Sequence, residues 1–91
     1  MASTERFGYE WSKYTTIYPE HESLFWKWIP FGKNFIKDKK ILDAGCGIGR
    51  NSYFCLKAGA KEITAFDYDK RTVNAAKYNL KNFKNVKVEY R

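Results

Sequence analysis

The pattern of hydrophobic and polar residues divides the chain near residue 39. Beyond it, short runs of strand-forming residues alternate with longer segments whose apolar residues recur at helical spacing. The predicted elements are a strand at 40–44, a helix at 50–58, a strand at 62–67, a helix from Asp69 to about Leu80 and a strand at 86–90. The order β-α-β-α-β favours a parallel sheet joined by right-handed crossovers, and hence an α/β fold.

Residues 1–39 differ in character and are interpreted as an N-terminal aromatic, helical extension to a domain at 40–91. Pro19 suits a first helical turn, apolar residues then follow one helix face, and Pro30 ends the pattern, which predicts a helix at 19–29. A shorter helix is expected around 34–37. Five aromatic residues lie before the predicted helix at 19–29: Phe7, Tyr9, Trp11, Tyr14 and Tyr18. They are interpreted as extra core or, alternatively, as a lid over a bound ligand.

Length and charge narrow the function classes. With 91 residues the chain forms one small domain, and 17 basic against 10 acidic residues give a net charge of +7. That charge permits a nucleic-acid partner without favouring one over a lysine-rich solvated surface. No apolar run approaches the roughly 18 residues of a membrane span, and no signal peptide opens the chain. Cys46 and Cys55 lack the spacing of a disulfide or zinc framework, so we expect a cytoplasmic protein.

The most informative segment is the loop between the first predicted strand and the helix after it. It reads Asp43-Ala-Gly-Cys-Gly-Ile-Gly49, and Asp67 ends the next predicted strand. Glycines lack a Cβ atom, so the backbone turns sharply and a ligand comes close to the main chain. Open α/β sheets bind ligands at this edge, where a carboxylate can accept hydrogen bonds from both ribose hydroxyls. The segment predicts a nucleoside-type cofactor site; the alternative is a plain tight turn followed by a solvated acid.

Two residues beside this loop separate the candidate cofactors. A dinucleotide fingerprint, Gly-x-Gly-x-x-Gly, would require glycine at position 50, which is Arg50. Asp43 stands two residues before the first glycine, where a carboxylate would repel a pyrophosphate but suits a cationic sulfonium and ammonium group. The sequence therefore disfavours a nicotinamide-dependent oxidoreductase.

The glycine triplet, the preceding acid and Asp67 together resemble motif I and the post-I acid of class I S-adenosylmethionine-dependent methyltransferases. The form Ile41-Leu-Asp-Ala-Gly-Cys-Gly-Ile-Gly-Arg50 is similar to that of small-molecule methyltransferases. The resemblance covers residues 40–91 well and 7–39 loosely. It implies a Rossmann-like, three-layer α/β half-domain with parallel strand order 3-2-1, and methyl transfer from S-adenosyl-L-methionine that leaves S-adenosyl-L-homocysteine.

The resemblance also assigns roles to individual residues. The loop backbone would hold the methionine portion of the cofactor, Asp43 would order the loop beside the ammonium group, Asp67 would bind the ribose hydroxyls and Tyr68 would lie near the adenine. Trp11 and Tyr14 are candidate lid residues. The predicted cofactor-binding set is Asp43, Gly45, Cys46, Gly47, Gly49, Asp67 and Tyr68. No catalytic residue and no metal ligand is assigned.

The chain departs from the family in length, because it ends on the third strand of a sheet that usually has about seven. We therefore expect a cofactor-binding portion of a methyltransferase acting on a small-molecule acceptor. Two alternatives stay open: a non-catalytic truncated module that pairs with another chain, and a fragment of an RNA methyltransferase. The first strand would be an exposed apolar edge, which predicts a homodimer or a complementing chain.

Overall fold

A computed structural model of the chain describes residues 15–91. Its helices are α1 (Glu20–Trp28), α2 (Lys33–Ile36), α3 (Arg50–Lys57) and α4 (Lys70–Asn79), and its strands are β1 (Lys40–Ala44), β2 (Glu62–Asp67) and β3 (Val86–Tyr90). These bounds agree with the predicted elements to within one or two residues. None of the helices in this part of the chain is long and apolar enough to cross a membrane.

The three strands form one parallel sheet in the order β1-β2-β3. Ile41 of β1 is paired with Ile63 of β2, which is in turn paired with Val86 of β3. The α/β class and the predicted order 3-2-1 are confirmed. Since all three strands run in the same direction, the segment after β1 and the segment after β2 lie at the same edge of the sheet.

The core lies between the sheet and the helices α3 and α4. Ile63 and Ala65 of β2 are fully buried, and they meet Leu56 of α3 and Ala76 of α4 in one apolar cluster. Because buried residues of both helices belong to this one cluster, α3 and α4 lie on the same face of the sheet. On the other face, Leu42 of β1 is 65% exposed.

Helix α1 packs on α3 rather than on the sheet. The ring of Phe25 lies 5.6 Å from that of Phe54, and Lys57 Nζ donates to Glu22 Oε1 at 2.9 Å. No residue of α1 is fully buried, so the helix is attached by one side of its surface. The end of α1 is determined by the local sequence, because Ile29 adopts the extended conformation expected for a residue that precedes proline.

Candidate functional site

The loop between β1 and α3 is held against the end of β2 by main-chain hydrogen bonds. Cys46 N donates to Phe66 O at 2.9 Å, and Gly49 N closes the turn by donating to Cys46 O at 3.0 Å. Gly47 has φ +55°, and a Cβ atom added there would meet nothing within 4 Å. The loop therefore exposes main chain to open space at the carboxyl edge of the sheet.

Asp67 is the acid that joins this loop to β2. Its Oδ1 accepts from Asp69 N at 3.0 Å and its Oδ2 accepts from Gly47 N at 2.9 Å. These two hydrogen bonds, that from Asp69 first, lower the pKa of Asp67. The residue is 8% exposed. Each oxygen keeps a further lone pair, so an ionised Asp67 can still accept from two hydroxyl groups.

Asp43 lies near the same loop, and its pKa shifts the other way. Burial raises its pKa, and the negative charge of Asp67 adds to that effect, while a hydrogen bond from Ser52 opposes it. Ser52 Oγ donates to Asp43 Oδ2 at 2.6 Å from a fully buried position on α3. The sequence analysis did not single out Ser52. The available signal was a serine at the helical spacing of the buried residues Cys55 and Leu56.

Cys46 is buried inside the loop, and burial raises its pKa to about 11, with further contributions from Asp43 and Asp67. Its thiol is therefore protonated near neutral pH, which disfavours a nucleophilic role. Tyr68 follows Asp67 directly and is 83% exposed. Its ring is thus available for contact at the same edge of the sheet.

The third glycine of the loop has a packing role. Gly49 has φ +87°, and a Cβ atom there would lie 3.0 Å from Leu80 Cδ1 and 3.4 Å from Ala76 Cβ. Real Cβ atoms rarely come so close to other atoms, so a larger residue would push the loop away from the end of α4.

Asn79 is a second residue that the sequence analysis did not single out for a role. Its Nδ2 donates to Ile48 O at 2.9 Å and to Thr15 O at 2.7 Å. The side chain thus joins the glycine-rich loop to the start of the described chain. Asn79 belongs to the stretch that resembles the continuation of the family motif, but its two acceptors could not be predicted because both are distant along the chain.

A cavity of about 360 Å³ lies next to this edge, between α1 and the start of α3. Phe25 and Trp28 line it from α1, and Arg50 and Asn51 line it from α3. Because Arg50 follows Gly49 directly, the cavity adjoins the glycine-rich loop.

The structure brings the predicted set together at one edge of the sheet: Asp43, Gly45, Cys46, Gly47, Gly49, Asp67 and Tyr68. The two candidate lid residues, Trp11 and Tyr14, lie outside the described residues. A carboxylate bound to a loop amide, with open main chain beside it, has the chemistry of a nucleoside site.

Comparison with known proteins decides the family. A family described as "Methyltransferase domain" matches residues 41–91, more than half of the chain. The chain belongs to this methyltransferase family. The class I resemblance is thus confirmed, and the cofactor of the family, S-adenosylmethionine, is the one expected from the glycine-rich loop.

Individual relatives agree with this assignment. Protein arginine N-methyltransferase 2 of Dictyostelium discoideum is 44% identical over 64 residues, which cover 62% of this chain and 12% of that protein. A ribosomal protein L11 methyltransferase of Acinetobacter baumannii is 41% identical over 61 residues, or 65% of this chain and 20% of that protein. The Trypanosoma brucei PRMT1 enzyme–prozyme heterotetrameric complex with AdoHcy has a TM-score of 0.62 and 28% identity over 76% of this chain and 21% of that chain.

The methyltransferase relatives are much longer than the matched region. The chain spans 12% of the arginine methyltransferase and 20% of the L11 methyltransferase. The matched residues include the glycine-rich loop and Asp67. The methyltransferase class of the prediction is thus confirmed, and the acceptor belongs to the proposals below.

Proposed function

We propose that the glycine-rich loop and Asp67 form the S-adenosylmethionine site of a methyltransferase. The observation that carries this proposal is the hydrogen bond from Gly47 N to Asp67 Oδ2, at 2.9 Å. This bond places a carboxylate with free lone pairs directly beside open main chain. The cofactor requires this arrangement, because its ribose is linked to its methionine portion. In this proposal the loop from Gly45 to Gly49 holds the methionine portion, Asp67 holds the ribose hydroxyls and Tyr68 lies against the adenine.

The charges near the loop favour S-adenosylmethionine over a dinucleotide as the ligand. Asp43 and Asp67 are close enough that the charge of Asp67 raises the pKa of Asp43. Two carboxylates repel a pyrophosphate and attract a ligand with a sulfonium and an ammonium group. Asp43 thus faces the cationic end of the cofactor in this proposal, and Ser52 fixes the position of its carboxylate.

When bound, the cofactor supplies an electrophilic methyl group that an acceptor atom attacks in line. What the described residues add is position, because most of such a rate enhancement comes from holding two reactants in a near-attack geometry. Asn79 and Gly49 act indirectly in this scheme, since they fix the loop through Ile48 O and through packing on Leu80.

For the acceptor we propose a small molecule that binds in the cavity between α1 and α3. The volume of about 360 Å³ is in the range of small-molecule sites. Apolar walls from Phe25 and Trp28 face the polar groups of Arg50 and Asn51. A titration of the chain with small aromatic acids, monitored by the indole NH resonance of Trp28, tests it. No shift of that resonance with any ligand would contradict the proposal.

A protein acceptor is the second candidate. It is favoured by the names of two relatives, a protein arginine N-methyltransferase and a ribosomal protein L11 methyltransferase. An RNA acceptor is supported by the net charge of +7 and by the similarity to a solved putative RNA methyltransferase of Pyrococcus horikoshii, which is 38% identical with a TM-score of 0.59 over 63% of this chain and 29% of that chain. Incubating the chain with labelled cofactor and either an arginine-rich peptide or RNA separates these candidates by which product carries the label.

Pairing with another chain is a further part of the proposal. β1 is the outer strand of the described sheet, and Leu42 on it is 65% exposed. A second copy or a complementing chain that adds a strand next to β1 would cover this edge. If the isolated chain binds cofactor without turnover, it is the non-catalytic module predicted as an alternative.

Calorimetric titration with S-adenosylhomocysteine tests the cofactor site. Asp67→Asn removes the charge and one acceptor oxygen, and we expect the dissociation constant to rise roughly 10- to 100-fold, as for the loss of a charged hydrogen bond. The matched control is Asp38→Asn, because Asp38 already has φ +61° and asparagine tolerates that conformation. Adenosine as a second ligand isolates the ribose contact. Equal affinity of the two variants would overturn the assignment of Asp67.

A further inference from the structure

Six lysines surround the amino ends of the strands, at the edge of the sheet opposite the glycine-rich loop. We call this surface the basic edge; it consists of Lys37, Lys39, Lys40, Lys61, Lys84 and Lys87. None of them belongs to the cofactor site proposed above. Acidic residues nearby are fewer, namely Asp38, Glu62 and Glu89, which pairs with Lys87.

Hydrogen bonds to the main chain bring these lysines together from three separate segments. Lys61 N donates to Lys39 O at 2.9 Å, which joins the start of β2 to the start of β1. Asn85 Nδ2 donates to Ala60 O at 2.9 Å, and Ile63 N donates to Asn85 O at 2.9 Å, which joins β2 to β3. Adjacent strands lie about 4.8 Å apart, so the lysines form a row along the edge.

Most of this positive charge is not neutralised. Within residues 15–91, no ion pair involves Lys37, Lys40, Lys61 or Lys84, whereas Lys87 Nζ lies 3.1 Å from Glu89 Oε1. Lys61, Lys84 and Lys87 also line one groove of about 270 Å³ between the starts of β2 and β3. Glu62 lines the same groove, so the ammonium groups that remain free there are those of Lys61 and Lys84, and they favour a ligand that carries repeated negative charges.

An exposed pair of aromatic rings lies beside the row. The rings of Phe31 and Phe35 are 4.6 Å apart, and Phe35 is 55% exposed. Lys39 Nζ lies 5.4 Å from the centre of the Phe35 ring. An exposed aromatic ring next to an ammonium group suits single-stranded nucleic acid, because bases stack on such rings while cations neutralise the phosphates.

We propose that the basic edge binds single-stranded nucleic acid, with phosphates along the lysine groove and a base stacked on Phe35. The aromatic ring favours this ligand over an acidic protein segment, which offers charge without a base to stack. The surface lies at the opposite edge from the cofactor site. The proposal therefore goes beyond the proposed function and holds whichever acceptor receives the methyl group.

The test is a titration of the chain with a short labelled oligouridylate at several salt concentrations. The double variant Lys61→Gln/Lys84→Gln should bind roughly tenfold more weakly, and the slope of log affinity against log salt should fall by about 1.4, or about 0.7 for each phosphate that is no longer neutralised. The matched control, Lys27→Gln/Lys70→Gln, removes the same charge from exposed positions on α1 and α4. Equal decreases in affinity for the two double variants would overturn the proposal.

A second variant separates stacking from charge. Phe35→Leu should weaken binding of the oligouridylate several-fold and leave binding of inorganic polyphosphate, which has no bases, unchanged. If the affinity for oligouridylate is also unchanged, the assignment to single-stranded nucleic acid is wrong. Stronger binding to phosphatidylserine vesicles than to the oligonucleotide would also overturn it. Comparison with oligothymidylate shows whether RNA or DNA is preferred.

Discussion

The pKa values of two aspartates beside one loop are shifted in opposite directions because their surroundings differ. Asp67 accepts hydrogen bonds from two main-chain amides, which stabilise its charged form and lower its pKa. For Asp43, the loss of hydration of the carboxyl raises its pKa in spite of the Ser52 hydrogen bond. The hydrogen bonds thus favour the ionised form of Asp67, whereas the surroundings of Asp43 make its charge costly unless a cation is near.

Asp43→Asn should therefore stabilise the free chain near neutral pH. When folding raises the pKa of a carboxyl, the folded protein becomes less stable relative to the unfolded chain as the pH rises through the folded pKa. Asparagine does not ionise and so avoids this loss of stability, while its side-chain oxygen can still accept the hydrogen bond from Ser52. Urea unfolding at pH 7 should show the variant as the more stable protein. At about pH 3 the difference should shrink, because both side chains are then mostly neutral.

The same variant should bind S-adenosylhomocysteine more weakly than the unaltered chain, since the carboxylate beside the ammonium group is removed. An Asp43→Asn chain that is less stable at pH 7 than the unaltered one would show that the charged form is favoured in the folded state. In that case the assigned cause of the pKa shift would be wrong.

At the scale of elements, the glycine-rich loop and the end of α4 form one packing unit. Gly49→Ala should destabilise the chain by about 1–2 kcal/mol for the left-handed conformation, with an added cost from contact with Leu80. Gly45→Ala is the matched control, because Gly45 also has a positive φ of 70° but nothing lies within 4 Å of its Cβ position. Thermal unfolding should show a clearly larger decrease in Tm for Gly49→Ala. Equal decreases would mean that the loop moves away from Leu80 freely.

The attachment of α1 depends on one aromatic contact more than on its ion pair. Phe25→Ala removes the ring that packs on Phe54 and should lower the free energy of unfolding by about 1–2 kcal/mol, less than for a fully buried ring. Trp28→Ala on the same helix is the control, because Trp28 is 84% exposed. Its effect should be within about 0.5 kcal/mol. Urea unfolding curves measure both, and equal effects would contradict this packing.

The elements themselves could be predicted from the sequence because their signals are local. Asp69 caps α4 by accepting from Arg71 N, and Gly59 takes the left-handed conformation after α3, as glycine does beyond helix ends. The side-chain contacts within the candidate site, in contrast, could not be predicted from local signals. The partners in the bonds from Ser52 to Asp43 and from Asn79 to Ile48 lie on different elements. No local pattern encodes such a contact, so the motif predicted Asp43 and Asp67 but missed the residues that position the loop.

For the whole molecule, the unpaired edge of β1, one of the two outer strands of the described sheet, offers a site for association. The exposed Leu42 and the unpaired edge of β1 within residues 15–91 should cause concentration-dependent self-association. Leu42→Lys should reduce it, because a charge on an edge strand opposes pairing. Sedimentation velocity over a range of concentrations measures this effect. Two monomeric proteins with identical sedimentation would contradict the role of this edge.

Asn79 links two parts of the molecule through one amide group. Its two protons serve two acceptors, Ile48 O in the loop and Thr15 O at the start of the described chain. Once one hydrogen bond has formed, the amide is already fixed, so forming the other costs less conformational entropy. A ligand that immobilises the loop therefore favours the placement of Thr15 as well. By thermodynamic reciprocity, whatever holds Thr15 in place raises the affinity of the loop for that ligand.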